Sequence, residues 1–119
     1  MTNTQKGKEG EKEAVDFFRK AGYIVLARNY RKPWGEIDLI AAKDSEVVFV
    51  EVKCWTSYGA DSLERGIGRR KKHRIMETSK SYLLEHPEFD GYSIRYDVLF
   101  VPGTGRTARH IEDAFREEG

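Results

Sequence analysis

A chain of 119 residues, 39% of them apolar, suffices for a single domain spanning 1–119 around one core and leaves no room for a separate regulatory module. Its longest aliphatic or aromatic run, Val47 to Val50, is far below the ~20 residues that cross a bilayer, and its polar start, MTNTQKGKEG, lacks a signal-peptide apolar region. A soluble, cytoplasmic protein without a membrane partner is therefore expected. The formal net charge of +1 hides polarity: RGIGRRKKHR at 65–74 carries no acid, while the terminal IEDAFREEG is acidic.

In chain order, Ala14, Phe17, Phe18 and Ala21 recur at helical spacing, which predicts a helix over Lys8 to Ala21 that Gly22 stops. Tyr23 to Tyr30 is β-rich. Pro33 and Gly35 then break the chain before a second predicted strand at Glu36 to Ala42. A turn at Lys43 to Glu46, with Asp44 and Ser45 at its centre, leads into a third strand, Val47 to Lys53. Glycines 59, 66 and 68 mark a loop. Ile75, Met76, Ser79, Tyr82 and Leu83 then predict a second helix, running up to His86-Pro87. Tyr92 to Val101 reads as a fourth strand stopped by Pro102 and Gly103, and His110 to Phe115 fits no class. The order helix, strand, strand, strand, helix, strand predicts a mixed α/β fold. Its central sheet has an antiparallel meander, a helical crossover to a parallel neighbour, and helices on its faces.

The hairpin has a register. If Lys43 to Glu46 is the turn, antiparallel partners sum to 89, so Asp38 is expected opposite Glu51 and Glu36 opposite Lys53, all four on one face. Ile37, Leu39, Ala41, Val48, Val50 and Val52 form the reverse, apolar face. Opposed Cβ atoms lie ~4.5 to 5.5 Å apart, so ionised carboxylates at 38 and 51 repel wherever water is partly excluded. A shared proton, Lys53 or a divalent cation are three ways to compensate. We favour the cation: oxygen-only ligands suit Mg²⁺ or Mn²⁺, and a bound ion keeps a water nucleophile and open positions for a phosphate oxygen. Lys53 is then set to orient or deprotonate that water, or to offset charge in the transition state. Taken singly, a strand carboxylate such as Asp38 reads more readily as an edge or rim residue of a sheet; it is the meeting of four charged groups by register that favours a site.

The pattern Asp38, twelve residues, Glu51, Val52, Lys53 resembles the PD-(D/E)xK signature of the restriction-endonuclease-like nucleases. GEKEA at 10–14, GYIVLARNYR at 22–31, GEIDLIA at 35–41, VVFVEVK at 47–53 and RYDVLFV at 95–101 resemble the bacterial YraN-type uncharacterised family, which is similar to archaeal Holliday-junction resolvases. That resemblance implies a restriction-endonuclease-like core, with Asp38, Glu51 and the Val52 carbonyl as metal ligands and Lys53 as the catalytic lysine. It implies further that Glu11, on the first helix, matches an acidic residue of the resolvases, and that a homodimer forms. The signature's proline is Ile37 here, and Glu36 has only the Lys53 pairing to explain it.

The remaining candidates belong to binding. Arg31, Arg69, Arg70, Lys71, Lys72 and Arg74 are candidate phosphate contacts, against the alternative of a solvated helix start. Trp34, Trp55 and Tyr58 are candidates for stacking on unpaired bases, against rim packing. Arg95 and Asp97 share a strand face and are expected to pair with each other. Cys54, the single cysteine, excludes an internal disulfide and reads as a core thiol on the reverse face; His73, His86 and His110 lack ligand spacing. The sequence thus points to a metal-dependent endonuclease acting on DNA, branched or structured DNA included. The alternatives are a nucleic-acid-binding module of the same fold without useful catalysis, and a structural partner protein.

Overall fold

The computed structural model describes residues 3–55, 68–102 and 108–116, with side chains described at 10–53, 68–102 and 108–116. The chain runs α1 (Asn3–Lys20), β1 (Ile24–Lys32), β2 (Gly35–Lys43), β3 (Glu46–Trp55), α2 (Arg69–Glu85), a short 3₁₀ turn (Pro87–Phe89), β4 (Ser93–Pro102) and β5 (Arg109–Phe115). These strands form one five-stranded sheet in chain order. β1, β2 and β3 are an antiparallel meander, β4 lies parallel to β3, and β5 turns back antiparallel to β4. The fold is therefore mixed α/β, as expected. The stretch that sequence reading left unclassified is strand β5, too short and too mixed in polarity to show a period of its own. No described helix is long and apolar enough to cross a membrane.

The sheet buries both faces. Ala14, Val15 and Phe18 of α1 pack on Leu39, Ala41, Val48, Val50, Leu99 and Val101. Ile75, Met76 and Tyr82 of α2 pack on Ile37, Ile40, Val47, Phe49, Val98 and Phe100. Gly22 ends α1 with φ of 93°, a conformation that needs no Cβ. Asp44 and Ser45 both take positive φ, 50° and 62°, so β2 and β3 close through a two-residue turn between Lys43 and Glu46. From Lys43/Glu46 to Leu39/Val50 every pair sums to 89, which is the expected register.

Beyond Leu39 the strands change. Ile37 and Ile40 both lie in the core under α2, while Leu39 lies under α1, so strict alternation of faces slips at Asp38. β1 slips at the same level: Ala27 and Tyr30 both pack toward α2, and Asn29 between them has φ of 49°. The slips match, so the β1 to β2 pairing keeps step across them, Arg28 opposite Leu39 and Tyr30 opposite Ile37. The pairing of β2 with β3 stops at Leu39/Val50. A fork opens there between two neighbouring strands.

Candidate metal and phosphate site

Asp38 stands in that fork. Its Oδ2 accepts the Val52 backbone N–H at 2.8 Å, so a side-chain carboxylate takes the place that a β2 carbonyl would fill in a continuing ladder. Glu51 is buried, 6% exposed, beside Asp38, and its Oε1 meets the Lys71 Nζ at 2.5 Å. Lys53 follows Glu51 by two residues on the same face of β3. The expected cluster of Asp38, Glu51 and Lys53 is thus assembled, with Lys71 from α2 as a fourth member.

The electrostatics follow from crowding. Burial, then the charge of Glu51, push the Asp38 carboxyl up to about 7, against the pull of the Val52 N–H, with Glu36 adding to the rise. Burial and the neighbouring Lys71 hold the Lys53 amine below the usual lysine range. For Lys71 burial acts downward too, but the bond and charge of Glu51 outweigh it and the amine is shifted up. These are the marks of two carboxylates too close for comfort, relieved by one ion pair and by a readiness to hold a proton.

The other sequence candidates divide. Glu36 does not pair with Lys53, because the β2–β3 ladder ends at Leu39/Val50; on its other side Glu36 lies opposite Arg31 of β1, whose Nε is 3.1 Å from its carboxylate. Glu11 meets Arg28, at 3.9 Å, from a helix packed on the opposite face of the sheet to Lys71. It does not join Asp38 and Glu51, and among the described residues no three His, Cys, Asp or Glu side chains gather as a ligand set. Arg69, Arg70 and Arg74 are exposed on the opening turns of α2, and Lys72 lies over the Phe115 ring at 5.8 Å. Trp34 is exposed, while the side chains of Cys54 and Trp55 lie outside the described residues, as do Tyr58, Gly59 and Gly66. Lys71's part in the cluster is what sequence reasoning missed. Only its place in the basic run was visible, because the contact with Glu51 depends on how α2 docks.

Asp38 and Glu51 supply hard oxygen donors that suit a divalent cation, which would relieve their mutual repulsion; such an ion would have to displace the Lys71 ammonium from Glu51 Oε1.

Beside the cluster opens a cleft of about 350 Å³ lined by Arg31, Lys32, Trp34, Glu36, Lys71 and Arg74, with Pro33, Gly35 and Ile75 completing its wall. The β1–β2 turn is held against α2 by Gly35. A Cβ there would sit 2.6 Å from Thr78 Oγ1 and 3.1 Å from the Arg74 carbonyl oxygen. The opening turn of α2 carries no acidic residue, so cations stand at the positive end of the helix dipole.

A second polar cluster lies on the far strands. Asp97, fully buried, accepts bonds from Arg95 Nε and Nη2, both 2.8 Å, and from the Asp113 N–H at 2.9 Å. His110 Nε2 lies 2.6 Å from its Oδ2. Arg95 also reaches Glu46 at 2.8 Å and the Tyr23 hydroxyl at 2.7 Å. The expected Arg95 to Asp97 pairing is present, but as part of a larger knot that pins β5, whose register with β4 shifts opposite Asp97.

Among known proteins, the model of the uncharacterised protein family UPF0102 matches residues 10–101. A UPF0102 protein of Persephonella marina is 38% identical over 110 residues, 92% of each chain. Another, from a Sulfurihydrogenibium species, is 39% identical over 118 residues, 99% of this chain and all of its own. A third, from Nitrobacter winogradskyi, is 33% identical over 109 residues, 92% of this chain and 90% of its own.

Proposed function

We propose that this chain, which belongs to the uncharacterised protein family UPF0102, is a metal-dependent phosphodiesterase that hydrolyses DNA, branched or structured DNA included. One observation carries the reading: Asp38 and Glu51 meet where β2 and β3 part, with Lys53 and Lys71 against them. A buried like-charge pair is costly, and it has no packing role that apolar residues would not fill better.

Asp38 and Glu51, with the Val52 carbonyl, are the residues that would hold Mg²⁺ or Mn²⁺; when bound, the ion supplies a water of lowered pKa and neutralises charge on a phosphate oxygen. The chain's own groups do the rest. Lys53 orients the attacking water or accepts its proton, Lys71 and Arg74 meet the phosphate oxygens, and the Val52 N–H fixes the Asp38 carboxylate in place. Cleavage assays on linear, flapped, single-stranded and four-way-junction DNAs in Mg²⁺ and Mn²⁺ test this. Lys53→Ala is expected to lower the rate by ~100-fold or more; equal trace activity in wild type and variant would sink the reading. Calorimetric titration of Mn²⁺ into wild type and Asp38→Ala gives the same answer without turnover, since binding should be lost with Asp38.

The Lys71 to Glu51 ion pair favours a second reading, in which the fold binds nucleic acid without turnover, because Glu51 is already neutralised by the protein. It requires salt-sensitive DNA binding that survives Asp38→Asn and needs no divalent cation.

A further inference from the structure

We infer that the cleft between the β1–β2 turn and α2 seats one unpaired nucleotide, so that the substrates are nucleic acids with a single-stranded end, flap or branch. The inference rests on the phosphodiesterase reading and names its substrate class.

Three observations converge on the cleft. Its volume, about 350 Å³, is at the small end of ligand sites, enough for one small ligand and too little for a length of duplex. Its wall carries Arg31, Lys32, Lys71 and Arg74 on the turn and the helix, with one carboxylate, Glu36, among them. Arg31 pairs with Glu36, Lys32 with Glu85 and Lys71 with Glu51, so a phosphate held between the two elements would share these cations with their carboxylates. Trp34 stands on its rim, 48% exposed, an indole of which half is left to water. A second groove of about 480 Å³, lined by Trp34, His73, Arg74 and Glu77 among others, also borders it. The ring is therefore a ridge between two recesses.

The ridge is also positioned. Gly35 allows the turn to approach Arg74 and Thr78 more closely than any Cβ would permit, and this sets Trp34 next to the basic face of α2. A base inside a duplex has both faces covered by its neighbours, so an indole on a ridge offers stacking only to a base that is unpaired or terminal. Lys71 joins the two sites, since the same ammonium lines the cleft and bonds Glu51. A nucleotide seated by Trp34 consequently places its own or its neighbour's phosphate beside the carboxylate cluster.

The test is fluorescence anisotropy in EDTA with labelled DNAs sharing one duplex, blunt or extended by a single-stranded overhang, and a third probe whose overhang is RNA. Wild type is expected to bind the DNA overhang about tenfold more tightly than the blunt duplex. Trp34→Ala should abolish that preference while blunt-duplex affinity stays within about twofold, and Trp34→Phe should restore most of it. An equal preference on the RNA overhang supports the seat and widens its ligand to either sugar. If Trp34→Ala keeps the overhang preference, or weakens both probes alike, the nucleotide seat is overturned, while cleavage by wild type would leave the phosphodiesterase reading standing. Overhang preference lost in Trp34→Ala, in a protein that cleaves nothing, overturns the catalytic reading and keeps the seat. No binding to any probe overturns the seat, and the cleavage assay in Mg²⁺ and Mn²⁺ then decides the catalytic reading by itself.

Discussion

Asp97 shows how a single buried carboxylate can be made safe. Burial alone would raise its pKa, but His110, Arg95 and the Asp113 N–H together outweigh burial and hold it below the usual carboxylate range. The sign of its contribution follows. A carboxylate depressed in the folded state stabilises fully above its unfolded pKa, about 3.9, and that stability is lost as pH falls below this toward the folded value. Urea melts of wild type between pH 6 and pH 2 should therefore show a loss concentrated below about pH 4, and Asp97→Asn should flatten it. At neutral pH, Asp97→Ala should cost about 3 kcal/mol, since it leaves Arg95, largely buried, short of its main partner. The Asp38 carboxylate is the contrast, with one N–H bond and a like charge as neighbour. One carboxylate is satisfied by the fold, and the other is left wanting a partner.

At the scale of elements, the β2–β3 hairpin is where sequence and structure agree most closely, and the reason is local. Its register depends on a two-residue turn and on alternating apolar residues, both readable within twenty or so positions, so the adjacency of Asp38 and Glu51 was legible. The paired slip at Asn29 and Asp38 was not, because it depends on two strands bending together to fill cores on both faces. With the β2–β3 ladder ending at Leu39/Val50, the expected Glu36 to Lys53 pair does not form, and Glu36 meets Arg31 of β1 instead. The same logic separates Lys53, fixed by strand alternation, from Lys71, whose contact with Glu51 depends on long-range docking. β5 could not be classified from sequence because its place depends on Asp97 and His110 rather than on a hydrophobic pattern of its own. The turn yields a stability prediction: Asp44 and Ser45 both occupy a left-handed conformation that Asn and Gly adopt more readily. Asp44→Asn with Ser45→Gly should raise stability by about 1 kcal/mol, seen as a higher urea midpoint with an unchanged slope.

For the whole molecule, a formal net charge of +1 conceals a separation of charge. Arg69, Arg70, Lys71, Lys72 and Arg74 crowd the start of α2, and Arg31 and Lys32 face them across the cleft. If this end meets a nucleic-acid backbone, affinity should fall linearly with salt on a double-logarithmic plot. Arg69→Ala and Arg70→Ala should each flatten the slope by roughly one and weaken all sequences alike. A slope unchanged in both variants would show that the exposed cations do not touch phosphate. The polarity also has a local cost, since cations at a helix N-terminus oppose its dipole. In α2 the buried Glu51 offsets part of it.

That contact bears on how the chain assembles. The β2–β3 hairpin is built from neighbours in sequence and belongs to the fast events of folding, on the order of microseconds, whereas the parallel β3–β4 pairing must wait for the crossover to close. If the hairpin forms first, its two acids come side by side before α2 docks and brings the ammonium that offsets them. Lys71 works as a latch: until it closes, the strand ends repel one another, and a dissolved cation that bridged them early would shorten the wait.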